Sequence, residues 1–274
     1  MPFVSVIIPC FNQGIYINEA IESVLSQTFK DYEIIIVNDG STDQFTINTI
    51  NSLSHPKIKT IHTKNMGLAS ARNNGIEAAQ GTIILPLDSD DTIAPTYLEK
   101  AIPILDGDPS IGIVYSQVYL FGALHGESSL PECESTKMVV RNYIVNCGHF
   151  RKKDWEICGG YNSDMKYSWE DWDFWLSIIE RGKKVHQIKE PLFYYRIRKS
   201  SMARSLTSQQ MAEMHTRLFN HHRDFFCANI TTLFEEFYKL SLEPQKTIPS
   251  LLCDKIRHPI KTIRSRFIPN KRGI

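Results

Sequence analysis

The sequence predicts an α/β fold, a mostly parallel sheet flanked by helices, with a helical appendage at its C-terminal end. Three observations carry that expectation. The first hundred residues alternate short β-rich runs with stretches of helical period, the pattern of strands joined by crossover helices. Polar and acidic residues gather just after each apolar run, where open α/β sheets bind their ligands. Beyond Ser205 the apolar residues fall at helical spacing only, through Met211, Met214 and Leu218 and then Leu233, Phe237 and Leu240.

Taken in order, residues 4–8 form a buried strand, and a helix follows over 19–25 with Ala20, Ile21, Val24 and Leu25 on one face. Residues 33–37, 57–62 and 82–87 are the next three strands; a helix over 68–79 joins the last two, and Gly81 marks its end. A helix from Pro95 to about Leu105 and a strand over 111–118 complete the repeat. Across 121–136 turn-forming and acidic residues rise and periodicity fades, which predicts an irregular loop, with order returning near Val139. Residues 168–180 are helical, with Trp172, Trp175, Leu176 and Ile179 at three- and four-residue steps, and strands follow at 185–188 and 192–196.

Composition narrows the function. Thirty-one Lys and Arg oppose 30 Asp and Glu, so no chain-wide basic field exists to hold nucleic acid. The longest apolar runs are a few residues, whereas a spanning helix needs about 20. The start Met1-Pro2-Phe3-Val4-Ser5 has neither the basic flank nor the apolar stretch of a signal peptide, so a cytoplasmic location is expected. Six cysteines lie scattered without CxxC spacing and are expected as reduced thiols. His215, His221 and His222 lack the company of a metal motif, and no zinc site is expected there.

Four strand-end segments stand out: Pro9 to Gly14, Asn38 to Asp43, Lys64 to Gly67, and Asp88-Ser89-Asp90-Asp91. Ser41 and Asp43 taken singly read as turn or helix-cap residues. Neither G-x-G-x-x-G nor G-x-x-x-x-G-K-[ST] is present, which removes the main support for a dehydrogenase or an ATPase. The carboxylates Asp88, Asp90 and Asp91 follow an apolar strand. Like charges so close need a compensating cation, and hard oxygen ligands suit Mg²⁺ or Mn²⁺ shared with substrate phosphates.

The strings Val4-Ser5-Val6-Ile7-Ile8-Pro9 with Phe11-Asn12, Val37-Asn38-Asp39-Gly40-Ser41-Thr42-Asp43, Asn65 and Gly67, Ala71-Arg72-Asn73 with Gly75, and Leu87-Asp88-Ser89-Asp90-Asp91 together resemble the family 2 glycosyltransferases of GT-A fold. The resemblance is dense over residues 4 to about 100 and thinner to about 205. It implies a nucleotide-sugar donor, a divalent metal on the D-x-D motif, and sugar transfer with inversion. It divides the chain into a catalytic domain over 1–205, with a nucleotide-binding half to about 118, and a helical appendage over 206–274. It places the donor base over Pro9, Phe11 and Asn12, with Asp39 accepting from a uracil or thymine imide N–H. Asn65 and Arg72 would bracket ribose and phosphate. Asp88, Ser89 and Asp90 would hold the nucleotide-sugar, with Asp90 on the metal and Asp91 beside it as ligand or second-layer support.

Two further stretches fit the resemblance. In Trp169-Glu170-Asp171-Trp172-Asp173, Asp171 resembles the family's catalytic base, Trp169 and Glu170 are candidate acceptor contacts, and Trp172 and Trp175 read as core. A base on a helix's first turn feels the positive dipole end, which favours the ionised carboxylate that an inverting transfer uses. In Tyr195-Arg196-Ile197-Arg198-Lys199-Ser200-Ser201, Arg198 stands where the family commonly has His. An Arg pairs with phosphate but does not ligate a metal, so Arg198 is expected on the diphosphate with Arg196, Lys199 and Arg204 nearby.

The tail mixes Lys255, Arg257, Lys261, Arg264, Arg266, Lys271 and Arg272 with Ile256, Ile260, Ile263, Phe267 and Ile268. Two readings stay open: peripheral contact with the inner face of the plasma membrane, or a solvated terminus. The expected activity is transfer from a UDP- or dTDP-sugar to a glycan or lipid-linked glycan in cell-surface polysaccharide synthesis. The alternatives are a catalytically silent nucleotide-sugar binder, against which Asp171 and the intact D-x-D-D argue, and a sugar-1-phosphate nucleotidyltransferase, whose Gly-rich, Arg-containing first loop Pro9 to Gly14 does not supply.

Overall fold

A computed structural model of the chain describes residues 3–198 and 205–242. The chain opens with β1 (Val4–Cys10), all seven residues of it buried, followed by α1 (Gly14–Leu25), β2 (Tyr32–Asp39), α2 (Gln44–Asn51) and β3 (Ile58–Thr63). Then come α3 (Leu68–Glu77), β4 (Ile83–Pro86), the two-residue β5 (Thr92–Ile93), α4 (Tyr97–Gly107) and β6 (Ile111–Gly122). The rest comprises β7 (Gly126–Ser128), a 3₁₀ turn (Ser135–Val139), β8 (Phe150–Arg151), α5 (Lys152–Cys158), α6 (Glu170–Ile179) and β9 (Lys184–Ile197), then the appendage helices α7 (Ser208–His221), α8 (Arg223–Ala228) and α9 (Ile230–Leu242).

The strands form two sheets rather than the single one expected. The first has the order β3-β2-β1-β4-β8, with its first four strands parallel and β8 antiparallel to β4. Strands buried on both faces read as continuous β-branched runs, which is why Ile34-Ile35-Ile36-Val37 was legible. Helix α3 lies against β1 and β2 at Gly75, where a Cβ would meet Ile7 Cγ2 at 2.4 Å and Val37 Cγ2 at 3.0 Å. Helix α2 escaped the sequence reading because its face buries only Thr46 and Ile50. Asp43 is its N-cap, accepting from the Phe45 and Thr46 amides, as the cap reading of that residue expected.

The second sheet, β5-β9-β6-β7, corrects two expectations. The strands expected at 185–188 and 192–196 are one strand, β9, parallel to β6, with register shifts near Gln117 and Pro191 where the ring removes a ladder donor. The loop expected over 121–136 is partly ordered: β6 runs on to Gly122 and β7 returns antiparallel to it, pairing Leu120 with Gly126.

His149 joins the sheets. Its amide donates to Val114 O at 2.7 Å and its carbonyl accepts from Val114 N at 2.9 Å, just before β8 enters the first sheet. Behind it an aromatic cluster, with Phe150–Phe174 centroids at 4.9 Å and Tyr161–Phe174 at 4.5 Å, fixes α6 on the seam. Trp172 and Trp175 belong to this core, as expected. In the appendage Met211, Met214 and Leu218 of α7 are buried, whereas the adjacent Phe219 is 37% exposed. The basic tail lies outside the described residues.

The His149 ring is fully buried against Tyr97, with neither nitrogen hydrogen-bonded among the described residues. Burial disfavours its charged form and lowers its pKa to about 3. Because the unfolded chain binds that proton from about pH 6.5, stability is complete above 6.5 and lost as pH falls towards about 3. Replacing His149 with Phe should flatten the acid limb of the urea-unfolding midpoint against pH; an unchanged limb would contradict the assignment.

Candidate active site

A cavity of about 430 Å³ opens beyond the carboxyl ends of β1, β2 and β4, a size that suits a small-molecule ligand. The first sheet and its loops line it with Pro9, Phe11, Asp39, Asn65, Arg72, Asp88, Ser89 and Asp90; α6 and the second sheet line it with Trp169, Glu170, Asp171, Tyr195 and Arg198. Of the expected site residues, only Asn12 and Asp91 do not line it.

Asn12 is exposed and acts on the loops instead. At φ 54° it occupies the left-handed region, which Asn tolerates better than most residues. Its side-chain oxygen accepts from the Thr42 and Asp43 amides at 2.8 and 2.9 Å, and its own amide donates to Ser41 Oγ at 3.1 Å. The loops after β1 and β2 are thereby tied together. Asp39 does the same for the loop after β3: Oδ1 accepts from Met66 N at 3.1 Å and Oδ2 from Gly67 N at 3.0 Å. Oδ1 also accepts from Thr63 Oγ1 at 3.2 Å, which leaves Oδ2 with acceptor capacity for a ligand donor.

The three carboxylates after β4 differ in what they face. Asp88 accepts from Arg72 at 2.7 Å and from Asn146 Nδ2 at 2.8 Å. Asp90 Oδ2 pairs with Arg198 Nε at 2.8 Å. Asp91 is 1% exposed and accepts the Arg196 amide at 2.7 Å, so it is turned from the cavity towards β9. One oxygen from each of the three still lies within 4.8 Å of the others, a donor set of hard oxygens that fits Mg²⁺ or Mn²⁺.

Arg72 departs from the expectation that it reaches ribose and phosphate. It is 1% exposed, and its two terminal nitrogens are engaged by Asp88 at 2.7 Å and by Glu170 at 2.5 Å. Burial alone would lower its pKa, but the Asp88 and Glu170 carboxylates outweigh that and hold it above the ordinary arginine value. Glu170 likewise departs from the acceptor role: it is buried and turned inward onto Arg72. Trp169 precedes α6 at φ 70°, a left-handed conformation unusual for a bulky residue, and its ring packs against Trp172 and, at 4.4 Å, His215 of α7. Only 9% of it is exposed, so it forms wall rather than an open stacking platform.

Asp171, half-buried on the first turn of α6, faces the cavity and accepts from Asn142 Nδ2 at 3.2 Å and from Trp172 N at 2.8 Å. Asn142 and Asn146, which orient Asp171 and Asp88, were missed by the sequence reading. Their only signal is two amides four residues apart in an otherwise apolar stretch. Arg196 is committed elsewhere, donating to Asp90 O and Glu19 at 2.7 Å each, so it is not a free member of a cationic clamp; Lys199 and Arg204 lie outside the described residues.

The profile of glycosyl transferase family 2 matches residues 5–153, more than half of the sequence and all four strand-end motifs. The chain belongs to this family. Chondroitin synthase of Pasteurella multocida is 32% identical over 192 residues, covering 68% of this chain and 20% of that protein. The minor teichoic acid biosynthesis protein GgaB of Bacillus subtilis is 28% identical over 269 residues, 94% of this chain and 29% of that protein. The family 2 chain thus spans between a fifth and a third of these relatives. Among solved structures, Staphylococcus aureus TarS residues 1–349 in complex with UDP-GlcNAc superposes with a TM-score of 0.62 at 18% identity, covering 89% of this chain and 76% of that one. The mannosyltransferase PcManGT of Pyrobaculum calidifontis in complex with GDP-Man and Mn²⁺ gives 0.59 at 18%, covering 96% and 79%. The fold is GT-A.

Removing one partner of a buried ion pair leaves an uncompensated charge, at a cost of about 3–5 kcal/mol. Arg72→Met should therefore lower unfolding stability by about that amount. Adding Glu170→Gln should restore part of it, and additive losses in urea titration would show that the pair is not coupled.

Proposed function

We propose that the chain is an inverting, metal-dependent glycosyltransferase that moves a sugar from a UDP- or dTDP-type donor to a hydroxyl of a glycan or lipid-linked glycan acceptor, in cell-surface polysaccharide synthesis. The observation that carries this reading is a single cavity with strand-end donor motifs at one side and Asp171 at the other. The UDP-GlcNAc complex of TarS and the relatives that make chondroitin or teichoic acid support the choice of donor and acceptor class.

Pro9 and Phe11 supply an apolar wall for the base, and Asp39 accepts from its imide N–H while staying fixed by two backbone amides. Asn65 and Ser89 contact ribose and phosphate. Asp90 is the principal metal ligand with Asp88 beside it, and Asp91 supports both through β9. A divalent ion there supplies charge neutralisation for the departing diphosphate. Arg198, already on Asp90, adds a second positive charge at the same place, and a bidentate phosphate contact is within its chemistry. Asp171 takes the acceptor hydroxyl's proton as that oxygen bonds the anomeric carbon from the face opposite the diphosphate. The old carbon–oxygen bond breaks with its electron pair on the nucleotide, and configuration inverts. Glu170 and Arg72 hold this machinery in place without touching the reacting atoms.

Asp171→Asn should leave UDP affinity unchanged, measured by calorimetry, and lower transfer by about 10²–10⁴-fold, the usual range for loss of a general base. Retained turnover would remove Asp171 from the role. Chelation with EDTA should abolish transfer and added Mn²⁺ or Mg²⁺ restore it; full activity in EDTA would overturn the metal assignment.

A further inference from the structure

Away from the cavity, the break between α7 and α8 gathers a second set of donor atoms. His221 ends α7, and His222, at φ −114° and ψ 35°, is the non-helical residue before α8. That kink lets two consecutive imidazoles approach the same residue, Asp173, one turn beyond the start of α6. His221 Nδ1 lies 2.8 Å and His222 Nε2 3.4 Å from Asp173 Oδ1. Asp173 and His222 are 1% and 2% exposed, and among the described residues Asp173 Oδ2 and His222 Nε2 form no hydrogen bond. A buried carboxylate oxygen left unbonded is costly unless something binds it. On the far side of the ring, His222 Nδ1 meets Glu180 Oε2 at 2.9 Å.

We propose that Asp173, His221 and His222 bind a Zn²⁺-class divalent ion that fastens the helical appendage to α6. Two imidazole nitrogens and one carboxylate oxygen make a borderline donor set that suits Zn²⁺ rather than Mg²⁺. Glu180 stands where a carboxylate accepting from the distal ring N–H fixes the tautomer and orients the ligating nitrogen. The 3.4 Å between His222 Nε2 and Asp173 Oδ1 is close to the edge of a tetrahedron with bonds of about 2.0–2.1 Å, whereas the 2.8 Å between His221 Nδ1 and Asp173 Oδ1 is a hydrogen bond that the ion would replace and widen. His221 is half-exposed, which leaves an entry path and room for water as the fourth ligand. With a proton in place of the metal, His222 would instead be an imidazolium. Burial opposes that charge, but the carboxylates of Asp173 and Glu180 beside the ring outweigh it and raise its pKa to about 9. The two states are experimentally separable, and neither depends on the sugar-transfer reading.

The test uses the full chain carrying Asp90→Asn, which disables the other acidic site, stripped with chelator and titrated with ZnCl₂. One equivalent should bind and raise the thermal midpoint. Glu180→Gln should weaken binding about 10- to 100-fold. His221→Ala, at a half-exposed position that the core does not need, should abolish it while the far-ultraviolet spectrum stays native. Absence of stoichiometric zinc, zinc binding that survives His221→Ala, or a thermal midpoint that ignores zinc would each overturn the proposal.

Discussion

The buried guanidinium of Arg72 is the constraint on which the site depends. It reaches Asp88 behind the strand-end motif and Glu170 on the first turn of α6, 98 residues away in sequence from Arg72. Asp88 neighbours Asp90, and Glu170 neighbours Asp171, so one cation sets the spacing between the carboxylates that follow β4 and those that open α6. A guanidinium is suited to this because its planar fork satisfies two carboxylates at once and keeps its charge when buried. A lysine at 72 would offer one point charge and leave one carboxylate poorly held. Asn73 acts beside it, its oxygen accepting from Trp155 Nε1 at 3.0 Å and Tyr161 N at 2.8 Å and its amide donating to Tyr161 O at 2.8 Å. The Arg-Asn pair on α3 thus binds the second half of the domain to the first.

This explains what was legible in sequence and what was not. Local signals were sufficient for β1 to β4, for α3, and for the family motifs, because a fully buried parallel strand must be apolar along its length and its ligand-facing residues come immediately after it. Side-chain direction was not legible. Arg72 and Glu170 carry the residue types of ligand contacts, and their inward orientation follows from a pairing between residues far apart in sequence. Asn142 and Asn146 were invisible for the related reason that they sit in an irregular segment whose geometry is set by the cavity rather than by periodicity. The division into two sheets was equally hidden, since a strand's neighbour is a property of topology and β6 reads the same whether it pairs with β4 or β9.

The appendage shows the same limit from another direction. His221 and His222 have no motif spacing, and the nearness of Asp173 arises only because α7 lays Met211, Met214 and Leu218 on the catalytic domain. That packing also brings His215 against Trp169, whose left-handed backbone would otherwise be strained without support. Trp169 leads directly into Glu170 and Asp171. The appendage is therefore mechanically continuous with the α6 wall of the cavity, although Met211, Met214 and Leu218 do not line it.

Strand β9 completes the symmetry. Its end is strapped to the acidic loop by the Arg196 amide on Asp91 and the Arg196 guanidinium on the Asp90 carbonyl, with that guanidinium lying over Phe121 and Tyr16 at 4.3 and 4.8 Å. Two residues further, Arg198 meets the Asp90 carboxylate. Arg198 directly follows the last residue of β9, so the strand's pairing fixes the backbone from which this side chain reaches Asp90. Asp91 and Arg196 settle where Arg198 begins, and the Asp90 end of the cavity inherits its geometry from the hydrogen bonds of β9, as its Asp171 end inherits it from Arg72.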